Sequence, residues 1–116
     1  MSDSGQASDI LSQLYAIVLQ RKQADAGSSY VASLYAKGLD KVLGKVGEEA
    51  TEVAIAGKGG VEKEIVSEVA DLWFHTIVLL GYYDLPPEQI YAELQRRFGI
   101  SGIDEKASRI EKPIKG

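Results

Sequence analysis

The stretch KVGEEATEVAIAG, residues 45–57, sets three glutamates, Glu48, Glu49 and Glu52, against an apolar run that includes Val46, Val53 and Ile55. Further on, IVSEVADLWFHTIVLL, residues 65–80, places Glu68 and Asp71 inside an even more apolar segment. Neither stretch alternates as a half-buried strand would. The apolar positions Leu39, Val42, Leu43, Val46, Ala50 and Val53 recur at helical spacing, so the first stretch reads as part of a helix over 39–57. The second belongs to a helix over 61–83 whose latter half is apolar all round, which predicts burial on every side.

Outward from these two, the pattern stays helical. Residues 9–25 form a helix with Ile10, Leu11, Leu14, Ile17 and Val18 on one stripe and Asp9 or Ser8 as its N-cap. Gly27, Ser28 and Ser29 break it, and SYVASLYAKG reads as a short helix closing at Gly38. Gly57, Gly59 and Gly60 end the 39–57 helix, and the prolines of DLPPEQ start a last one over 87–98. The expected fold is therefore all-α, a bundle of about five helices in a single domain over 1–116, with 1–8 and 100–116 as flexible tails. So small a chain can hardly cover an all-apolar helix by itself, so a homodimer is expected.

The totals narrow the function. There is no cysteine, hence no disulfide or thiolate chemistry, which suits a reducing cytoplasm. The net charge is −4 and no basic block stands out, which argues against nucleic acid as partner. The N-terminus lacks a basic and then apolar leader pattern. The longest nearly apolar run, Leu72–Tyr83, spans twelve residues. A bilayer needs roughly twenty, so no membrane association is expected.

At about 100° per residue, Lys41, Lys45, Glu48, Glu49 and Glu52 share one arc beside the apolar stripe. Glu64, Glu68, Asp71 and His75 follow at spacings of four, three and four, forming a second stripe that runs into the apolar half of its helix. A solvated helix face is the ordinary reading of EExxE. Against it, Asp71 is a poor mid-helix residue, and Glu68 and Asp71 have no Lys or Arg at i±3 or i±4. Like charges at the edge of a core call for positive compensation, and a hard divalent cation prefers carboxylate oxygen. With no Cys and one His, zinc does not fit; Mg²⁺ or Mn²⁺ does. His75 reads more readily as a core histidine with one hydrogen bond than as a ligand. Lys41 and Lys45 read as surface lysines or, beside a metal cluster, as contacts to a phosphate chain.

ExxE at Glu49 and Glu52, followed after fifteen intervening residues by ExxD at Glu68 and Asp71, resembles the all-α nucleotide pyrophosphohydrolases, a group that includes MazG-type enzymes and dimeric dUTPases. SYVASLYAKGLDKVLGKVGEEATEVAIA and EVADLWFHTIVLL resemble more closely the phosphoribosyl-ATP pyrophosphohydrolase family, with similarity over about residues 9–98. The blocks S-Y, K-G, K-x-G-E-E-A-x-E and A-D-L-x-x-H in that order make the resemblance specific. It implies a MazG-like bundle and Mg²⁺-dependent hydrolysis of the α–β phosphoanhydride of phosphoribosyl-ATP to phosphoribosyl-AMP and pyrophosphate, the second step of histidine biosynthesis. Carried over, Glu49, Glu52, Glu68 and Asp71 are the metal ligands and Glu48 an added ligand or base, with Glu49 the other candidate catalytic carboxylate. Lys41 and Lys45 are then outer phosphate contacts; Glu64 and His75, on the second stripe, are read as neighbours of the ligands. A housecleaning nucleotide pyrophosphatase of the MazG type and a non-enzymatic helical dimerisation module are the two rival readings.

Overall fold

The computed structural model describes residues 9–99, and among these it contains five helices and no strand. They are α1 (Ile10–Lys22), α2 (Tyr30–Lys37), α3 (Leu39–Gly59), α4 (Glu62–Tyr82) and α5 (Pro87–Phe98). The all-α expectation holds, with element order as read. The two expected tails and the alternative cap Ser8 lie outside the described residues.

α1 stops at Lys22, three residues short of the expected end. The cause is local. The Asp25 carboxylate accepts the Gly27 N–H at 3.1 Å, and the Asp25 carbonyl accepts from the Ser28 amide and hydroxyl. This turn competes with continued helix for the same backbone groups. Ser29 then caps α2, its hydroxyl oxygen accepting the Ala32 N–H at 3.2 Å. Gly38, at φ 102°, ends α2 and opens α3 in one residue. α3 runs through Gly57 and Gly59 and ends at Gly60, whose left-handed φ of 81° a side chain would resist. Only Gly60 and Val61 join α3 to α4, so the two pack as an antiparallel hairpin, the most extensive helix pair among the described residues.

The core lies at one end of this hairpin. Tyr15 and Val18 of α1, Val31 and Leu34 of α2, Val42 of α3 and Ile77, Val78 and Leu80 of α4 form one cluster. Tyr35 locks α2 to α4 by donating its hydroxyl to the Val78 carbonyl at 2.6 Å. Burial pushes its pKa up to about 12, with Tyr15 and Asp84 adding to the effect, so the donor keeps its proton. The phenol crosses α4 over Gly81, where a Cβ would meet the Tyr35 hydroxyl at 2.6 Å and a Val18 methyl at 2.9 Å.

Away from that end the expected burial is absent. Trp73, in the half of α4 expected to be buried all round, is 54 % exposed, Ile55 is 65 % exposed, and Leu43 of the predicted α3 stripe is also exposed; Val66, earlier on α4, is open as well. The described residues supply no further helix to lay over these positions. An 18-residue window of α4 averages 1.3 in hydropathy, so length and composition alone would let this helix cross a membrane. Its Ile77, Val78 and Leu80 are instead part of the core with α1 and α2.

Candidate metal centre

The hairpin brings the two carboxylate rows together. Glu49 of α3 and Glu68 and Asp71 of α4 each direct one carboxylate oxygen to a common point, all within 4.8 Å of one another. The antiparallel crossing makes this possible, because positions ascending along α3 face positions descending along α4. Glu49 is only 8 % exposed, Glu68 half-buried and Asp71 exposed, so the cluster sits where the core meets solvent.

Its electrostatics are unbalanced. Oε1 of Glu49 and Oε1 of Glu68 are buried without a hydrogen-bond partner. Such atoms are costly unless something compensates them. Burial raises the Glu68 pKa, and a close approach of the Glu52 carboxylate and the charges of Glu52, Asp71 and Glu49 raise it further. The hairpin thus gathers negative charge faster than it supplies donors. Oxygen-only ligands of this number and softness fit Mg²⁺ or Mn²⁺ and not a thiophilic metal.

The other sequence-derived candidates fall around this point. Glu52 is exposed beside Glu68, outside the convergent three but lining with Glu64, Glu68 and Ile55 a shallow depression of about 170 Å³. Glu48 is exposed and forms an ion pair with Lys45 at 3.5 Å, away from the three. Lys45 is half-buried, and its ammonium pKa lies above the ordinary value. Tyr30 contributes most to that rise, burial opposes it, and Glu48 and Glu49 reinforce it. Lys41 is exposed and has no ion pair among the described residues. His75 is buried with both ring nitrogens engaged, Nδ1 at 3.0 Å from the Asp71 carbonyl and Nε2 at 2.8 Å from the Tyr30 hydroxyl. Tyr30 is absent from the sequence-derived site residues. The signal for it was the S-Y block at the head of α2 together with a histidine in need of a partner.

The five helices of the described residues gather an acidic, donor-poor cluster on a single hairpin and define an all-α protein with a candidate cation site at the edge of its core. The model of the family described as phosphoribosyl-ATP pyrophosphohydrolase matches residues 11–98. A protein of Geobacter metallireducens named phosphoribosyl-ATP pyrophosphatase is 68% identical over 101 residues, covering 87% of this chain and 93% of its own length. One of the same name from Geobacter sulfurreducens is 64% identical over 103 residues, covering 89% of this chain and 95% of its own length. A third, from Geotalea daltonii, is 62% identical over 101 residues, covering 87% and 95%. The chain belongs to the phosphoribosyl-ATP pyrophosphohydrolase family.

Proposed function

We propose that this chain is the hydrolase that cleaves the α–β anhydride of phosphoribosyl-ATP, giving phosphoribosyl-AMP and pyrophosphate in histidine biosynthesis. The observation that supports it most is the convergence of Glu49, Glu68 and Asp71 with two buried oxygens left unpartnered, on a chain of this family. These three, with Glu52 beside them, would hold Mg²⁺, with Mn²⁺ as a substitute. The ion, when bound, supplies Lewis-acid neutralisation of phosphate charge.

The remaining roles belong to the chain's own side chains. Lys45, and Lys41 one turn earlier on the same helix, offer ammonium groups to phosphate oxygens, which an acidic site otherwise repels. Water attacks the α-phosphorus, the bond to the bridging oxygen breaks, and pyrophosphate leaves with that oxygen. The proton lost by the water goes to a carboxylate, Glu49 within the cluster or Glu48 next to it. Glu64 and His75 flank the ligand row from the same helix. The protein is further read as a cytoplasmic homodimer with no nucleic-acid or membrane partner. Support for the dimer comes from the exposed Trp73, Val66 and Ile55.

The test is to incubate the purified protein with phosphoribosyl-ATP and Mg²⁺ and to follow phosphate products. Pyrophosphate release that EDTA abolishes is the expected outcome. Orthophosphate as first product, or full activity in excess EDTA, would overturn the reading. A panel of noncanonical nucleoside triphosphates run alongside separates it from a housecleaning activity.

A further inference from the structure

His75 Nδ1 faces the Asp71 carbonyl oxygen, which can only accept, so the proton sits on Nδ1. In the neutral ring Nε2 is then an acceptor, and the Tyr30 hydroxyl at 2.8 Å donates to it. A phenol has a single proton. With it committed to His75, the Tyr30 oxygen presents only lone pairs to anything arriving from solvent. The ring that carries it is held on two sides, stacked on Phe74 at 6.2 Å between centroids and edge-on to His75 at 5.8 Å. Yet Tyr30 is 48 % exposed, and its partner His75 is bonded through Nδ1 to the backbone of Asp71, a member of the carboxylate cluster. Tyr30 therefore lies two hydrogen bonds from that cluster with part of its surface open to solvent.

An acceptor-only group has nothing to offer a phosphate chain, which near neutral pH is itself all acceptors. Donors lie at the other end of a nucleotide, in its sugar hydroxyls and base N–H groups. We propose that Tyr30 is a specificity-determining residue that accepts a hydrogen bond from a hydroxyl or N–H of the substrate's nucleoside portion, and that His75 is a positioning residue acting through it. The assignment rests on the function proposed above and divides the site. Carboxylates and lysines serve the phosphates, and the α2 tyrosine serves the nucleoside.

Tyr30→Phe keeps the ring and its packing and removes the acceptor. The experiment measures kcat and KM for phosphoribosyl-ATP and inhibition constants for the two products, with Mg²⁺ throughout. KM and the phosphoribosyl-AMP constant should rise together, by about five- to tenfold for one neutral hydrogen bond. The pyrophosphate constant should not move, and kcat should stay within about twofold. His75→Leu should reproduce this pattern and His75→Gln, whose amide oxygen accepts in place of Nε2, should largely restore it. Tyr30→Phe with His75→Leu should be no worse than either alone, as expected of residues acting as one unit. Melting curves accompany each variant, and if His75→Leu does not fold, Tyr30→Phe and His75→Gln decide. Parallel weakening of pyrophosphate would assign Tyr30 to the phosphates and overturn the proposal. Lowered melting temperature with unchanged KM would reduce the pair to a tether between α2 and α4, which also overturns it. A wild type inactive on phosphoribosyl-ATP would overturn both this and the function above, whereas an active wild type with an unaltered Tyr30→Phe overturns this alone.

Discussion

Glu49 on α3 and Glu68 on α4 point into the same cluster, and each buries an Oε1 that no hydrogen-bond donor reaches. Within a helical hairpin this arrangement works against stability, since buried polar atoms without partners are costly, and burial with the neighbouring carboxylates disfavours the charged form of Glu68. It makes sense as a site whose strain is relieved by a ligand.

Glu49→Gln, Glu52→Gln, Glu68→Gln and Asp71→Asn should each lower activity by roughly a hundredfold or more, the scale on which loss of one preorganised electrostatic group acts. Each should leave the metal-free protein as stable or more stable, because an amide keeps the shape and removes a like charge. Wild-type melting temperature should rise in several millimolar Mg²⁺ through binding to the folded state, and that rise should shrink in the variants. Paired melts with EDTA and with Mg²⁺ measure both effects. Amides that destabilise the metal-free protein would mark these carboxylates as structural partners instead.

Gly81→Ala should destabilise the protein despite the better helix propensity of alanine. The added methyl would displace the Tyr35 hydroxyl from the Val78 carbonyl and press on Val18. Overpacking of this kind costs about 1–3 kcal/mol, against a propensity gain of about 1 kcal/mol. Urea unfolding of the metal-free protein reads the difference, and an unchanged midpoint would mean the phenol moves aside freely.

Glu93 predicts an acid-sensitive element in α5. Hydrogen bonds from Arg96 and Arg97 pull its pKa down to about 2, from an ordinary 4.5. A carboxylate with a depressed folded value contributes stability above the unfolded value and loses it as pH falls through the folded one. The stability gap between wild type and Glu93→Gln should therefore be present at neutral pH and close between about pH 4.5 and about pH 2. Both arginines and the glutamate are near the surface, so the gap should be small and shrink in 1 M salt. A gap that is constant with pH would refute the assignment.

Trp73→Asp should convert a dimer into a monomer. The indole is 54 % exposed in one chain and lines, with Leu72, Ile77 and Tyr91, an apolar groove of about 420 Å³. A charge placed there costs little in an isolated chain and much inside an apolar interface. Sedimentation of wild type and variant decides the matter. A folded wild-type species of 12.6 kDa at micromolar concentration would end the dimer reading.

Much of this was legible in the sequence because helical periodicity and glycine punctuation are local. Gly38 and Gly60 mark their boundaries directly, and the spacing at 48–52 and 64–71 put a carboxylate row at the core edge of each helix. Two kinds of feature were not legible. The end of α1 depended on whether the Asp25 side chain would take the Gly27 amide, a competition that spacing does not register. The burial of α4 depended on how many neighbours one chain could supply, which is why Trp73 stands open in the half of the helix expected to be buried all round. Within the site, wheel geometry placed Glu48, Glu49 and Glu52 on one arc. Which of them meets α4 depended on the crossing of the two helices, and it is Glu49 that joins Glu68 and Asp71 while Glu48 turns to Lys45.

The two-residue link at Gly60 and Val61 has a kinetic consequence. Residues 49 and 68 are close in sequence, so their helices can pair through short-range contacts that form early in folding. Refolding should therefore start from the α3–α4 hairpin, a seed that brings the three carboxylates together before α1 and α5 have docked. If the cluster holds the proposed ion, Mg²⁺ in the refolding buffer should cross-link that seed and quicken assembly.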